Sequence, residues 1–138
     1  MQCFVTDGGS VFALNEKDIV SVCKHKGDIL TRADAMMAQA VEEGGDRLDS
    51  YDGNHGFYAK CGFEPVAWTK FDPQYAPDGA LPEDIVFYRY TGNKRKLTPD
   101  EAKADVEAFK AQNKPMDYDT ACDFRNHMID YYNKGAEQ

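Results

Sequence analysis

The stretch that decides the fold is GNHGFYAKCGF, residues 53–63, which follows the sequence RLDSYD at residues 47–52. RLDSYD predicts a short strand, and Asn54 stands where it can cap a helix that begins directly afterwards. This helix is short, and isolated helices need roughly 12–15 residues to be even marginally stable. We therefore expect tertiary contacts to hold it, and Gly62 to end it in the left-handed conformation that glycine adopts at low cost.

Three strands and a longer helix precede this stretch. Apolar-rich runs separated by the turn sequences DGGS and NEK predict an antiparallel meander. Its strands are predicted at residues 3–6, 11–14 and 18–24. The run TRADAMMAQAVEE at residues 31–43 has apolar residues at helical spacing, and two glycines end it. Because the middle β-α-β part needs a right-handed crossover, we expect parallel strands within a mixed sheet.

Two strands and two helices follow the stretch. The runs EPVAWTK (residues 64–70) and DIVFYRY (residues 84–90) are rich in residues that favour strands. Thr98 followed by Pro99 is the preferred start of a helix, and the apolar spacing predicts a second helix over residues 119–133.

The predicted fold class is α/β (α+β). It comprises a mixed, mostly antiparallel sheet in the order β-β-β-α-β-α-β-β, plus two C-terminal helices. Residues 1–93 are predicted to form the main domain, and residues 94–138 a helical extension packed on that domain or on a partner.

The sequence YAKCGF at residues 58–63 matches a Tyr-x-Lys-x-Gly-Phe signature. This signature and the element order over residues 1–90 resemble the GNAT family of acetyl-CoA-dependent N-acyltransferases. The likeness is greatest to shortened GNAT-like proteins often met in phages and mobile elements. It implies a GNAT-like fold and transfer of an acetyl group from acetyl-CoA to a primary amine, by direct attack of the amine on the thioester.

The resemblance also implies roles for individual side chains. Tyr58 is the expected general acid, which protonates the leaving thiolate; alternatively it is a core aromatic residue whose hydroxyl is satisfied within the protein. His25, at the end of the third strand, is a candidate general base because its intrinsic pKa is near neutrality; alternatively it is a solvated surface residue and a water chain removes the proton. Tyr75, in the long loop at residues 71–83, either contacts the acceptor substrate or braces the sheet edge.

The family binds the diphosphate of acetyl-CoA with a loop that reads Gln/Arg-x-x-Gly-x-Gly/Ala. The corresponding stretch is DILTRA, residues 28–33, where Ala33 matches, Asp28 replaces the expected donor and Thr31 replaces the central glycine. The implied cofactor contacts lie in the third strand, this loop and the short helix. They are Val22, Cys23, Lys24, Gly27, Thr31, Arg32, Ala33, Asn54 and Lys60.

A second hypothesis is an inactive binding or inhibitor protein on a GNAT-like scaffold, acting through an acidic surface. The net charge is −8, which disfavours nucleic acid as a partner and favours a cationic acceptor such as a lysine side chain. We also consider a homodimer formed through residues 98–133. The divergent loop at residues 28–33 favours the binding protein, and the signature at residues 58–63 favours the enzyme.

The composition limits the remaining classes. Four scattered cysteines are typical of free thiols in a reducing compartment, so we predict a cytoplasmic protein. The sequence contains no apolar run long enough to span a membrane. The three histidines lack the paired spacing of a metal site, and none is predicted.

Overall fold

The structure is a computed structural model that describes residues 1–74 and 82–137. The predicted substrate contact Tyr75 lies outside the described residues. The strands in the described part are β1 (Gln2–Val5), β2 (Val11–Asn15), β3 (Asp18–Cys23), β4 (Arg47–Tyr51), β5 (Phe63–Thr69) and β6 (Ile85–Tyr90). The α-helices are α1 (Ala33–Glu42), α2 (His55–Lys60), α3 (Pro99–Gln112) and α4 (Tyr118–Glu137), and a 3₁₀ turn, Asp52–Asn54, precedes α2.

The strands form one sheet in the spatial order β1-β2-β3-β4-β6-β5. Within the described residues β3 and β4 are the parallel pair, and all other neighbours are antiparallel. The prediction of a mixed α+β protein with a mostly antiparallel sheet is therefore confirmed. The elements follow one another along the chain as predicted, while membership of the GNAT family stays a prediction.

Helices cover both faces of the sheet. Along β6, Val86 and Tyr88 belong to the large core cluster, to which α1 contributes Met36 and α3 contributes Val106. Phe87, between them, points to the other face, where it packs with Ala121 of α4. This alternation is the period of two that a strand imposes on its side chains. It places α1, α2 and α3 on one face and α4 on the other.

The two C-terminal helices pack on the preceding part of the chain, α3 against α2 and α4 against β5 and β6. The α3 helix starts with the predicted cap, since Thr98 Oγ1 accepts from the Glu101 amide at 3.1 Å and the Thr98 amide donates to the Glu101 carboxylate at 3.0 Å. The segment before α4 joins β5 through the Met116 amide, which donates to the Trp68 carbonyl at 3.0 Å. Dimerisation through residues 98–133 stays a prediction.

Two helix boundaries differ from those predicted. The α1 helix begins at Ala33 rather than at residue 31, because the amides of Leu30 and Thr31 donate to the Asp28 side chain in the preceding turn. The α4 helix continues to Glu137 rather than ending at residue 133. None of the helices in the described part of the chain combines the length and apolar character that crossing a membrane requires.

Candidate functional site

Tertiary contacts hold the short helix α2, as predicted. Gly62 ends it with a φ of +93°, and a Cβ at this position would lie 3.1 Å from the Tyr90 ring and 3.2 Å from Gly92 Cα. The next residue, Phe63, is fully buried in the large core cluster. Glycine is therefore required at position 62 both for its backbone conformation and for the close approach of Gly92.

Three polar side chains meet where β4 passes into α2. The Ser50 hydroxyl lies near enough to Tyr58 to act on the pKa of the phenol, and Ser50 Oγ accepts from Asn54 Nδ2 at 2.9 Å. Asn54 occupies the N-cap position, but in the described residues its side chain makes no capping hydrogen bond. Asn54 is thus the N-cap residue, as predicted, while its side-chain amide donates to Ser50.

The Tyr58 ring is packed by other aromatic rings, while its hydroxyl reaches the polar group around Ser50. Ring centroids lie 5.1 Å from Phe57, 6.2 Å from Phe63 and 5.6 Å from Tyr88. Burial raises the pKa of Tyr58 above its ordinary value, and the hydrogen bond with Ser50 opposes that shift. The phenol therefore keeps its proton at neutral pH.

Tyr58 and its neighbour Ser50 lie towards the carboxyl end of β4, where β4 is no longer paired with its parallel neighbour β3. Within the described residues β3 and β4 are registered through the single pair Asp18–Arg47, at the start of both strands. Beyond this pair Val20 is 43 % exposed and Tyr51 is 38 % exposed. Ligands in open sheets commonly bind beyond the carboxyl ends of such diverging strands.

The loop that follows β3 is organised around Asp28. Its Oδ1 accepts from the amides of Leu30 at 2.8 Å and Thr31 at 3.0 Å. Its Oδ2 accepts from Ser10 Oγ at 2.5 Å and, more weakly, from Thr6 Oγ1 at 3.5 Å. These hydrogen bonds, that from Ser10 foremost, hold the pKa of Asp28 well below its usual range. An internal carboxylate thus occupies the amides that the resemblance assigned to a diphosphate.

The carboxylate fits closely into its surroundings. A Cβ at Gly8 would fall 1.8 Å from Asp28 Oδ1, so a side chain at that position would displace it. The Thr31 hydroxyl donates to Thr6 Oγ1 at 2.9 Å. Arg32, not Thr31, takes the N-cap position of α1. The Thr31 hydroxyl is thus directed to the neighbouring turn rather than to the start of α1.

His25 is exposed and belongs to the Asp28 loop rather than to the Tyr58 group. Its amide donates to Ser10 Oγ at 2.9 Å, and its ring lies 3.5 Å from the position of a Cβ built on Gly27. None of the contacts found for Tyr58 within the described residues involves His25. Its assignment as general base stays a prediction.

The other predicted cofactor contacts are mostly exposed. Lys60 lies 5.5 Å from the centre of the Phe57 ring, and Arg32 pairs with Asp34 at 2.8 Å with most of its side chain in solvent. Val22 is half-buried against the core. The remaining members are half-buried or exposed along the end of β3 and the loop to α1; they are Cys23, Lys24, Gly27 and Ala33.

Sequence reasoning missed a buried polar chain beside Tyr58. His55 is 1 % exposed, with Nδ1 2.9 Å from the Tyr88 hydroxyl and Nε2 2.6 Å from Asp105 Oδ2. Asp105 accepts from both terminal nitrogens of Arg95 at 3.1 Å. The local sequence gives no indication of this row of polar groups, because His55 and Asp105 are 50 residues apart.

A buried charged residue, Arg125, lies on the opposite face of the sheet. Arg125 is 1 % exposed and lies 3.1 Å from Asp18 and 3.9 Å from Asp49. Burial raises the pKa of Asp49. Arg125 thus joins α4 to the starting end of β3 and to β4. In the described residues no group of three His, Cys, Asp or Glu side chains could hold a metal ion.

A cleft of about 550 Å³ lies between β1 and the start of α1. It contains apolar side chains such as Val5, Leu30 and Met36 together with Arg32. Tyr58 does not line it, so this cleft and the Tyr58 group are separate features.

Comparison of the chain with protein-family models, curated proteins and solved structures gives no match. The GNAT resemblance therefore rests on the residues quoted above.

Proposed function

We propose that this protein is an N-acyltransferase that moves an acyl group from a thioester to a primary amine, with Tyr58 as general acid. The observation that carries this proposal is the position of Tyr58 near Ser50, towards the end of β4 that is not paired with β3. The sequence resemblance makes acetyl-CoA the expected donor. A lysine side chain or a small amine is the expected acceptor.

The reaction requires one proton to be delivered and one removed. The amine nitrogen forms a bond to the thioester carbonyl carbon as the carbon–sulfur bond breaks, and the leaving sulfur takes the proton of Tyr58 Oη. The amine loses a proton to His25 or to water, and Tyr58 regains its own from solvent. Backbone N–H groups of β3, at residues 20–23, are the proposed donors to the developing oxyanion.

The two ends of acetyl-CoA fit this chain differently. The thioester end fits the Tyr58 group, which offers a protonated phenol and two polar neighbours. The diphosphate does not fit the amides of Leu30 and Thr31, because the negative Asp28 carboxylate already accepts from both. Any phosphate contact in this arrangement would come from exposed basic side chains, namely Lys24, Lys26 and Arg32.

The same loop favours a second candidate, a binding protein that has kept the scaffold without the transfer reaction. A backbone loop filled by the chain's own carboxylate has no place for a ligand anion. The partner of such a protein would carry a basic patch, complementary to the net charge of −8.

Calorimetry with acetyl-CoA, combined with an assay of thiol release in the presence of a lysine-rich peptide, tests the proposal. The variants are Tyr58→Phe and, as a matched control, Tyr51→Phe, which removes an exposed hydroxyl at the end of β4. We expect the wild type and both variants to bind acetyl-CoA equally. Turnover should fall roughly 100-fold or more in Tyr58→Phe, the usual effect of losing a general acid, and stay unchanged in Tyr51→Phe.

Absence of binding at millimolar acetyl-CoA would overturn the acyltransferase proposal and favour the binding protein. Equal turnover in the wild type and in Tyr58→Phe would overturn the role of the phenol.

A further inference from the structure

Helix α3 contacts the helix that carries Tyr58 at several points. A Cβ built on Gly56 of α2 would lie 3.1 Å from Ala102 Cβ of α3, so the two helices approach closely. The Arg95 amide, in the segment before α3, donates to the Ala59 carbonyl of α2 at 2.9 Å. The six residues of α2 are therefore held by the C-terminal extension as well as by the sheet.

The buried chain of polar groups adds a directional link. His55 is the first residue of α2, and its two ring nitrogens face Tyr88 of β6 and Asp105 of α3. Asp105 carries a negative charge that the paired Arg95 stabilises, and hydrogen bonds from Arg95 foremost lower its pKa. Because an ionised carboxylate can only accept, Nε2 of His55 donates to Asp105, while Nδ1 faces the Tyr88 hydroxyl.

Tyr88 transmits this arrangement to Tyr58. The Tyr88 ring lies 5.9 Å from the His55 ring and 5.6 Å from the Tyr58 ring, measured between centroids. Tyr88 is fully buried, so it cannot contact a substrate. Fixing its hydroxyl fixes the wall against which Tyr58 packs.

We propose that His55 is a positioning residue for Tyr58, and that Asp105 and Arg95 make α3 a necessary part of the Tyr58 site. This inference rests on the proposed function for its meaning in catalysis, but the placement of Tyr58 is measurable without turnover. Neither His55 nor Asp105 is assigned a contact with substrate. Both act through the ring of Tyr88 and the start of α2.

The test is an NMR titration of the full chain labelled with ¹³Cζ-tyrosine, in which the Tyr58 signal is assigned from Tyr58→Phe. We compare the wild type with Asp105→Ala, Asp105→Asn and Tyr88→Phe. Thr98→Ala is the matched control, because it removes the N-cap of α3 without touching the His55 chain. Tyr88→Phe removes a single hydroxyl and remains informative if Asp105→Ala fails to fold.

We expect the Tyr58 midpoint in Asp105→Ala and Tyr88→Phe to move down, toward the value of about 10 of a solvated tyrosine. Asp105→Asn should move it less, because its amide oxygen can still accept from His55. In the wild type and in Thr98→Ala the midpoint should be the same. In Asp105→Ala and Tyr88→Phe, kcat for thiol release should fall roughly 10- to 100-fold while KM for acetyl-CoA stays unchanged, as expected for a misplaced acid.

An unchanged Tyr58 midpoint in folded Asp105→Ala and Tyr88→Phe overturns the inference. An equal shift in Thr98→Ala also overturns it, since general loosening of α3 would then suffice. If the wild type releases no thiol, the proposed acyl transfer fails, while the titration still decides whether His55 positions Tyr58.

Discussion

The turn after β3 and the turn after β4 lie at the same edge of the sheet, because the two strands are parallel. In the first turn the backbone amides of Leu30 and Thr31 are satisfied internally by Asp28. In the second, Asn54 Nδ2 donates to Ser50 Oγ, and Tyr58 lies close to Ser50 at a half-exposed position. Equivalent places in one sheet thus differ in whether their polar groups face inward or outward. In the first turn, one carboxylate accepts from both of these amides.

The largest expected effect concerns the support under the second turn. Phe63→Ala removes a fully buried ring directly after Gly62, and we expect the free energy of unfolding to fall by about 3–5 kcal/mol. Urea denaturation measures this loss. The control is Phe124→Ala on α4, where the ring is 38 % exposed, and a change within about 1 kcal/mol is expected. If Phe63→Ala lost no more free energy of unfolding than Phe124→Ala, the second turn would not depend on the core beneath it.

A change at Asp28 tests whether the first turn is held by a carboxylate. The pKa of Asp28 is lower in the folded protein than in the unfolded chain. The ionised carboxylate therefore stabilises the folded state fully above about pH 4, and this contribution is lost as the pH falls through the lower pKa of the folded state. We expect Asp28→Asn to unfold at lower urea than the wild type at pH 7, and the difference to shrink by pH 2–3.

The control for this comparison is Asp123→Asn, which changes an exposed carboxylate on α4. It should unfold like the wild type at both pH values. A gap between Asp28→Asn and the wild type that stays constant with pH would contradict the role assigned to the ionised carboxylate.

The smallest expected effect is a difference in reactivity among the cysteine thiols, which is measured without changing the sequence. Cys61 is buried at the end of α2, and burial raises the pKa of its thiol to about 11. Cys3 and Cys23 are exposed in the meander. We expect a thiol reagent at pH 8 to modify Cys3 and Cys23 in the native protein, and Cys61 after urea is added. Mass spectrometry of digests identifies the sites, and rapid native labelling of Cys61 would show that the second turn opens.

Features set by neighbouring residues were predictable from the sequence. Thr98 caps α3, and Gly44 and Gly62 take positive φ angles at the ends of α1 and α2. Each depends on the residue type at one position and on a few neighbours, so local sequence is sufficient.

Polar pairs distant in sequence were not predictable. Asp28 meets Ser10 across 18 residues, and Arg125 meets Asp18 across 107. The identity of a charged residue says that it needs a partner when buried, but not which strand or helix brings one.

The pairing of β3 with β4 through one registered residue pair has a mechanical consequence. The sheet behaves as two three-stranded blades, β1–β3 and β4–β6–β5, joined at one corner, where the Asp46 amide also donates to the Lys17 carbonyl at 3.0 Å. Elsewhere along the seam the separation of the blades is set by side chains such as Ile19 and Leu48 in the core and Arg125 on the other face. We therefore expect larger or smaller side chains in the core to change the distance between the carboxyl ends of β3 and β4. The hydrogen bonds within each three-stranded blade would be kept.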